Sequence, residues 1–195
     1  MEFYHAEETN RLRRAIGWIV DLVVVIAMAW YFVYSFGYQV RIGGSSMSPA
    51  LSSGDIVLVN RLSYDFGEPD RFDIAVFLRE NAAPGVKRII GLPGETVQII
   101  SGRIHIDGSP LSGAEGLDAV GIAGLAKDPV KLGSDEYFVL GDNRESSEDS
   151  RFAGVGNVKR KQLLGKVWLK LSPSLKPSLI AKAPEDENET ARRFS

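Results

Sequence analysis

The chain has 195 residues, of which 44% are hydrophobic, and its formal net charge is -2. This composition can supply the core of one ordinary domain plus an appendage, and it excludes disorder throughout. The near-neutral charge, with scattered basic residues, gives no electrostatic case for a nucleic-acid partner. The absence of cysteine excludes disulfides, thiolate metal sites and cysteine nucleophiles, and two histidines, His5 and His105, argue against a histidine-rich metal centre.

A long apolar segment follows the polar N-terminus. Residues 15–36 are almost all aliphatic or aromatic, and about 22 residues would extend roughly 33 Å as a helix, the thickness of a bilayer core. Asp21 is the only charge inside the segment and lies near its arginine-flanked end. Aromatic residues suited to the membrane interfaces lie near the two ends: Trp18, Trp30, Tyr31 and Tyr34. The segment therefore predicts a transmembrane anchor.

The charges that flank this anchor predict its orientation. Three arginines precede the segment and Arg41 is the nearest cation after it, so we expect residues 1–14 to be cytoplasmic and the domain from residue 37 to be extracytoplasmic. The alternative is a cleaved signal peptide, for which Ala27-Met28-Ala29 has the small-x-small pattern. The hydrophobic segment continues past Ala29, which favours a retained anchor.

Short apolar runs rich in β-branched residues alternate with turns beyond Val40. They predict strands at 56–59, 73–78, 86–90, 96–100, 103–106, 137–140 and 166–169. The first two, separated by the turn-prone segment 64–69, predict a hairpin-like pair. Residues 113–131 predict a loop-rich excursion, and residues 173–195 a polar, solvated tail. We therefore expect a mainly β, partly barrel-like catalytic domain over residues 37–172, following one N-terminal transmembrane helix.

A turn-forming stretch between the anchor and the first of these strands contains a candidate nucleophile, Ser46. Gly43 and Gly44 permit close backbone turns and Pro49 fixes φ, so a serine between them can present a fixed hydroxyl. The same composition also fits an ordinary connecting loop. A serine hydroxyl needs a base to remove its proton before it can act as a nucleophile.

The candidate base lies in an apolar predicted strand. Alternation puts Lys87 and Ile89 on one face and Arg88 and Ile90 on the other, so we expect one of the two cations to point inward. A lysine buried among apolar groups shifts toward its neutral form and can accept a proton, whereas arginine keeps its proton. Lys87 is therefore the candidate base, and an edge strand with two solvated cations is the alternative. His105 alternates with isoleucines and is expected to face outward from its strand.

A third polar cluster, residues 141–151, follows the predicted strand at 137–140. Its charges can pair among themselves or with Arg88, and taken alone it also fits a hydrogen-bonded turn.

Together the three clusters resemble the type I signal peptidases, the membrane-anchored serine/lysine proteases that remove signal peptides from exported proteins. Ser46-Met47-Ser48-Pro49 is similar to their nucleophile motif, and Lys87-Arg88-Ile89-Ile90-Gly91-Leu92-Pro93-Gly94-Glu95 to their general-base motif. Gly141-Asp142-Asn143-Arg144, followed by Ser147, Asp149, Ser150 and Arg151, is similar to their closing motif. The motifs occur in the family's order, and the resemblance covers roughly residues 11 to 170.

The resemblance implies Ser46 as nucleophile and Lys87 as general base. It also implies supporting roles for six further residues: Ser147 would hydrogen-bond and orient the lysine, Asp142 would pair with Arg88, Asp149 would pair with Arg151, and Met47 would pack beneath the site. No metal or cofactor is implied. The implied partners are preprotein signal peptides with small residues at the first and third positions before the cut, the lipid bilayer of the plasma membrane and the secretion machinery.

The oxyanion site is implied to lie along Gly44, Ser45 and Ser46, with the Ser46 backbone N–H as one donor. Two positions depart from the family pattern: Ala50 stands where threonine is usual, and Gly44 stands where some members carry a serine. Gly44 is expected either to have room for that serine or to have a positive φ that would strain it.

Two other functions fit parts of the pattern. A related serine/lysine protease could cleave itself or one dedicated partner, as repressor-type autoproteases do, although those carry a DNA-binding module where this chain has an apolar segment. A catalytically silent, membrane-anchored β domain could bind exported chains, but the presence of both Ser46 and Lys87 counts against it.

Overall fold

The computed structural model describes residues 3–80, 82–113, 119–174 and 176–180. The chain divides into two compact units, one up to Tyr38 and one from Gln39 onward. The predicted polar tail, 173–195, lies mostly outside the described residues.

The first unit contains one long helix, α1 (Phe3–Phe36). Its segment Arg13–Phe36 is 24 residues long with a mean hydropathy of 2.2, long and apolar enough to cross a membrane. The apolar side chains along this segment are exposed, as they would be in contact with lipid. The predicted boundary between the cytoplasmic segment 1–14 and the anchor 15–36 falls inside this continuous helix. The helix can extend into the polar segment because glutamate and arginine also favour helix.

The second unit is built mainly from short strands. In chain order they are β1 (Tyr38–Arg41), β2 (Ile56–Asn60), β3 (Ile74–Arg79), β4 (Ala82–Gly91), β5 (Thr96–Ile100), β6 (Arg103–Ile106), β7 (Ser109–Pro110), β8 (Val130–Lys131), β9 (Glu136–Leu140), β10 (Val158–Lys159), β11 (Leu163–Leu171) and β12 (Pro177–Leu179). A short helix, α2 (Leu62–Asp65), follows β2, and 3-10 turns lie at Gly124–Lys127 and Arg160–Gln162.

These strands form two sheets. The larger has the order β1-β2-β11-β3-β4-β9-β10 with β12 added on β11, and the smaller has the order β7-β6-β5-β8. The prediction of a mainly β domain is confirmed, and the two sheets are open, with no closed barrel among the described strands.

The predicted hairpin between β2 and β3 is wrong. The C-terminal strand β11 lies between them and pairs with both, with Val167 opposite Val59 and Lys166 opposite Ala75. Sequence proximity favours a hairpin, but β11 is nine residues long and can complete the hydrogen-bonding edges of both neighbours.

The centre of the larger sheet is buried on both faces. One apolar cluster contains Ile90 and Leu140, and a second contains Ile89 and Val139, so alternate residues of β4 and β9 belong to different cores. The expectation was that one of the two cations of β4 points inward, and the structure extends it to both. Lys87 and Arg88 are both buried.

The excursion predicted over residues 113–131 is packed on the domain in its described part. Val120 and Ala126 are buried in the cluster that contains Ile90. The Arg151 side chain donates to the Ile122 carbonyl at 3.0 Å, and the Leu125 N–H donates to the Arg151 carbonyl at 2.8 Å. The excursion is therefore attached to the third polar cluster.

Candidate active site

Ser46 lies in the loop between β1 and β2, and this loop is fixed at both ends. At its base the Ile42 N–H donates to the Asp55 carbonyl at 2.8 Å. Immediately after Ser46 the chain makes a turn in which the Leu51 N–H donates to the Met47 carbonyl at 2.7 Å. Met47 and Leu51 are both fully buried, so this turn anchors the serine to the domain.

The structure brings Ser46 and Lys87 together. Lys87 Nζ lies 2.7 Å from Ser46 Oγ, within hydrogen-bond distance, although 41 residues separate them in the chain. Lys87 is only 7% exposed. Burial lowers the pKa of Lys87 from its ordinary value; the negative charge of Asp149 opposes this shift, and the positive charge of Arg79 adds to it. A short distance to the hydroxyl and a lowered lysine pKa are the two conditions that a lysine base for a serine requires.

His105 lies elsewhere. It is on β6 in the smaller sheet, paired with Gln98, and its Nδ1 is 3.1 Å from the Arg103 carbonyl oxygen. This position agrees with the expectation of an outward-facing strand residue.

Arg88 and Asp142 form a buried, bidentate ion pair. Arg88 Nε donates to Asp142 Oδ1 at 2.8 Å, and Arg88 Nη2 donates to Asp142 Oδ2 at 2.6 Å. The remaining terminal nitrogen, Nη1, donates to the Phe72 carbonyl at 2.8 Å. Two parallel charge-assisted hydrogen bonds fix both orientation and distance. The pair therefore connects β4, the strand that carries Lys87, to the start of the third polar cluster.

Arg151 and Asp149 form a second buried pair. Arg151 Nε donates to Asp149 Oδ1 at 2.8 Å and Nη2 donates to Oδ2 at 2.9 Å, while the Gly141 N–H donates to the same Oδ2 at 3.0 Å. Burial alone would raise the pKa of Asp149, but these hydrogen bonds outweigh it and lower the pKa below its ordinary value. Asp149 therefore stays ionised and holds the cluster in one conformation.

Direct contacts join the third cluster to the nucleophile loop. The Asn143 N–H donates to the Ser46 carbonyl at 3.1 Å, and the Ser45 and Ser146 hydroxyl oxygens are 3.4 Å apart. The hydrogen bond to Ser46 means that the third cluster helps to fix the backbone from which the candidate nucleophile projects.

Ser147 does not form the hydrogen bond to Lys87 that the resemblance implied. Its hydroxyl is buried against Gly141 and close enough to Asp149 to stabilise that charge, but it has no well-formed hydrogen bond in the described part of the chain. The Lys87 amine is engaged by Ser46 instead. Of the two expectations for Gly44, the structure supports room for a side chain, because Gly44 has no positive φ and a Cβ there would meet nothing within 4 Å.

Two residues of the third cluster, Gly141 and Arg144, have packing that the sequence did not predict. Gly141 is so close to Ser147 and to the Ser46 carbonyl that a side chain would overlap them. Arg144 is 2% exposed, burial lowers its pKa to about 10, and no nitrogen of its guanidinium has a hydrogen-bond partner among the described residues. Both residues stand in the segment that is similar to the closing motif, which was the available sequence signal for each.

Replacing Asp149 with alanine is expected to lower the free energy of unfolding by about 3–5 kcal/mol, because it leaves the buried Arg151 guanidinium without its carboxylate. The matched control is Glu148→Ala, which breaks the exposed pair with Arg79 and is expected to cost at most about 1 kcal/mol. Urea unfolding of the two variants measures the difference. Equal effects would contradict a structural role for the buried pair.

The structure places a serine hydroxyl in contact with a buried lysine on a mainly β domain, an arrangement that a hydrolase with a serine nucleophile and a lysine base could use. Residues 13–171 match the family model of Signal peptidase, peptidase S26, and the chain belongs to this family. It is thus a serine peptidase of the family that acts on the signal peptides of preproteins.

Two relatives of similar sequence support the same family. The probable signal peptidase I-2 of Synechocystis sp. (strain ATCC 27184 / PCC 6803 / Kazusa) is 35% identical over 180 residues, which cover 88% of this chain and 79% of that protein. Signal peptidase I of Bacillus caldolyticus is 38% identical over 184 residues, covering 86% and 94% respectively. A crystal structure of a signal peptidase I from Enterococcus faecalis V583 matches with a TM-score of 0.40 and 30% identity, covering 51% of this chain and 96% of that chain.

Proposed function

We propose that the chain removes N-terminal signal peptides from exported preproteins by acyl transfer, with Ser46 as nucleophile and Lys87 as general base. The observation that carries this proposal is the 2.7 Å contact between Lys87 Nζ and Ser46 Oγ, made by a lysine that is buried. Desolvation favours the neutral amine, which is the form that can take a proton from the serine.

In the first half of the reaction, neutral Lys87 takes the Ser46 hydroxyl proton as Oγ attacks the carbonyl carbon of the scissile bond. The developing oxyanion is stabilised by the Ser46 backbone N–H, within the segment formed by Gly44, Ser45 and Ser46. The tetrahedral intermediate collapses, and the leaving amine takes the proton from Lys87. The products of this half are the free mature chain and the signal peptide esterified to Ser46.

In the second half, water attacks the ester and Lys87 takes a proton from that water. The ester bond breaks, Ser46 Oγ regains a proton, and the signal peptide leaves with a new carboxylate. Asp142 with Arg88 and Asp149 with Arg151 are positioning residues, since their buried pairs hold β4 and the third cluster around the dyad. Met47, the residue implied to pack beneath the site, is buried and lies in the turn that follows Ser46.

The location of the reaction follows from α1 and its flanking charges. Residues 15–36 anchor the chain in the plasma membrane, residues 1–14 lie in the cytoplasm, and the domain from residue 37 acts outside, where translocated signal peptides emerge near the secretion machinery. The substrate is cut after a small residue, with a second small residue two positions earlier. Both features of the substrate come from the family resemblance.

The direct test is incubation of the detergent-solubilised protein with a preprotein, followed by N-terminal sequencing of the product. We expect one cut after a small residue at the end of the signal peptide, and no cut by the Ser46→Ala variant. Cleavage of only one preprotein from a varied set would favour the dedicated protease. Binding without cleavage would favour the silent binding domain.

The pH dependence should report the state of Lys87. Only the neutral amine is a base, so kcat/KM should be low at acidic pH and rise as pH passes through the Lys87 pKa. Because burial lowers this pKa, the rise should come below the ordinary lysine value of about 10.4. A kcat/KM profile over pH 5 to 11 checks the expectation. A rise centred at or above the ordinary value would contradict a desolvated base.

Topology can be tested with intact spheroplasts. Added protease is expected to digest the domain from residue 37 onward and to leave an N-terminal tag on residues 1–14 protected. Western blotting against both ends measures the outcome, and a cytoplasmic protein is the control for lysis. Digestion of the domain only after lysis would reverse the orientation.

A further inference from the structure

Lys170 on β11 contacts the loop that presents Ser46. Its Nζ donates to the Ala50 carbonyl at 3.0 Å, although 120 residues separate the two in the chain. Ala50 lies four residues after Ser46, in the turn that the Leu51 N–H closes on the Met47 carbonyl. The contact therefore joins a strand of the larger sheet to the turn that directly follows the nucleophile.

The backbone of Lys170 is held on both sides. Within β11 it lies opposite Val57 on β2 and opposite Ser178 on β12. A strand with a neighbour on each edge has its backbone hydrogen bonds made in both directions, and side chains on such strands are placed more accurately than side chains on loops. The donor of this contact therefore starts from a fixed position in the sheet.

The ammonium group of Lys170 is engaged by this carbonyl. Lys170 forms no ion pair with the residues that the structure describes. The residue is half-buried. A hydrogen bond from a charged donor is stronger than one between two neutral groups. The contact is therefore a charge-assisted restraint on the turn.

The turn is held differently on its two sides. The two buried residues at its ends, described above, fix the inner side. On the outer side Pro49 is exposed, and Ser48 and Ala50 are half-buried. Apolar contacts are non-directional, whereas a hydrogen bond prefers one distance and one angle. The contact from Lys170 therefore sets the orientation of a turn whose depth is set by apolar packing.

Ser46 lies between two restraints. Its own carbonyl accepts from the Asn143 N–H at 3.1 Å, which connects it to the third polar cluster. The turn that follows it is restrained by Lys170. The direction of the Ser46 hydroxyl depends on the backbone that these two contacts hold, and a misplacement of about 1 Å in a reacting group can cost about 100-fold in rate.

We propose that Lys170 is a positioning residue, which acts through the Ala50 carbonyl to hold the Ser46 hydroxyl in the direction that attack on the scissile bond requires. The inference rests on the proposed function, because it concerns the same reaction. Lys170 acts on the turn, and the dyad of Ser46 and Lys87 does the chemistry.

The test compares Lys170→Met with Lys170→Arg in steady-state and single-turnover cleavage of a preprotein. Methionine keeps an apolar stem without a donor, so kcat and the acylation rate should fall about 3- to 10-fold while KM changes by less than about twofold. The loss is smaller than 100-fold because the buried ends of the turn remain. Arginine keeps a charged donor, so Lys170→Arg should retain most of the activity. The midpoint of the pH profile should not move in either variant, because the surroundings of Lys87 are unchanged.

Lys131→Met is the matched control. Lys131 Nζ also donates to a backbone carbonyl, that of Gly94, in the turn between β4 and β5. The control variant therefore loses the same kind of hydrogen bond outside the nucleophile loop, and its kcat should match that of the unaltered protein. Urea unfolding of each variant measures stability. If Lys170→Met is strongly destabilised, Lys170→Thr replaces it with the same expectation, because threonine suits a strand and is too short to reach the carbonyl.

Four results would overturn the positioning role. They are an unchanged kcat in Lys170→Met, an equal loss in Lys170→Arg, an equal loss in Lys131→Met, and a shift of the pH midpoint that accounts for the loss. Each of them leaves the proposed function standing, because the unaltered protein still cuts the preprotein. Failure of the unaltered protein to cut it would contradict the proposed function itself.

Discussion

Replacement of Lys87 by alanine is expected to lower kcat/KM by at least about 10⁴-fold. The serine would lose the base that takes its proton. When catalytic residues act as a unit, removal of any one of them lowers the rate by about this factor. Lys87→Arg should not restore activity, because a guanidinium keeps its proton. Ser46→Ala should be equally inactive, and the double variant Ser46→Ala/Lys87→Ala should be no worse than either single variant.

The matched control for this series is His105→Ala. His105 lies on the smaller sheet and contacts the Arg103 carbonyl, so its removal should leave cleavage intact. Preprotein cleavage with circular dichroism of each variant measures activity and folding together. A His105 variant as inactive as the Ser46 variant would overturn the serine/lysine assignment, and so would strong residual activity in Lys87→Ala.

Gly141→Ala is expected to lower kcat/KM by about 100-fold or more, although it adds a single methyl group. The added Cβ would overlap Ser147 Oγ and lie 2.5 Å from both Ser147 Cβ and the Ser46 carbonyl oxygen. Something must move, and a shift of about 1 Å in a reacting group can cost about 100-fold in rate. The backbone of Gly141 has no positive φ, so the effect would come from space alone.

Gly121→Ala is the matched control for Gly141→Ala. It makes the same chemical change at an exposed glycine without positive φ, where a Cβ would meet nothing within 4 Å. Its activity and its midpoint in urea should match those of the unaltered protein. Full activity of Gly141→Ala would show that the nucleophile loop does not depend on this contact.

Local patterns in the sequence predicted most strands and the candidate dyad. The strands β2, β3, β5, β6 and β9 are short apolar runs rich in β-branched or aromatic residues and bounded by turns. A lysine among isoleucines and valine has few physical explanations other than an exposed edge or an altered pKa. The burial of Lys87 on a sheet covered on both faces excludes the exposed edge.

The features that the sequence could not predict are long-range. The insertion of β11 between β2 and β3 depends on a segment about 90 residues further along the chain than the turn that separates them. The attachment of the 119–131 segment to Arg151 depends on one hydrogen bond from the guanidinium to the Ile122 carbonyl and one backbone hydrogen bond from Leu125. The close approach of Gly141 to Ser46 appears only when the two loops are placed together in space.

The central claim is that a neutral amine at position 87 takes the proton from Ser46. The chain has no cysteine, so Lys87→Cys introduces a single thiol that can be alkylated selectively. Alkylation with bromoethylamine restores an amine at nearly the length of lysine, and alkylation with iodoacetamide adds a neutral amide in the same place. We expect the variant to be inactive, the aminoethylated protein to regain cleavage at the native site, and the carboxamidomethylated protein to remain inactive. Recovery with both reagents, or with neither while mass spectrometry shows complete alkylation of a folded protein, would contradict Lys87 as the base.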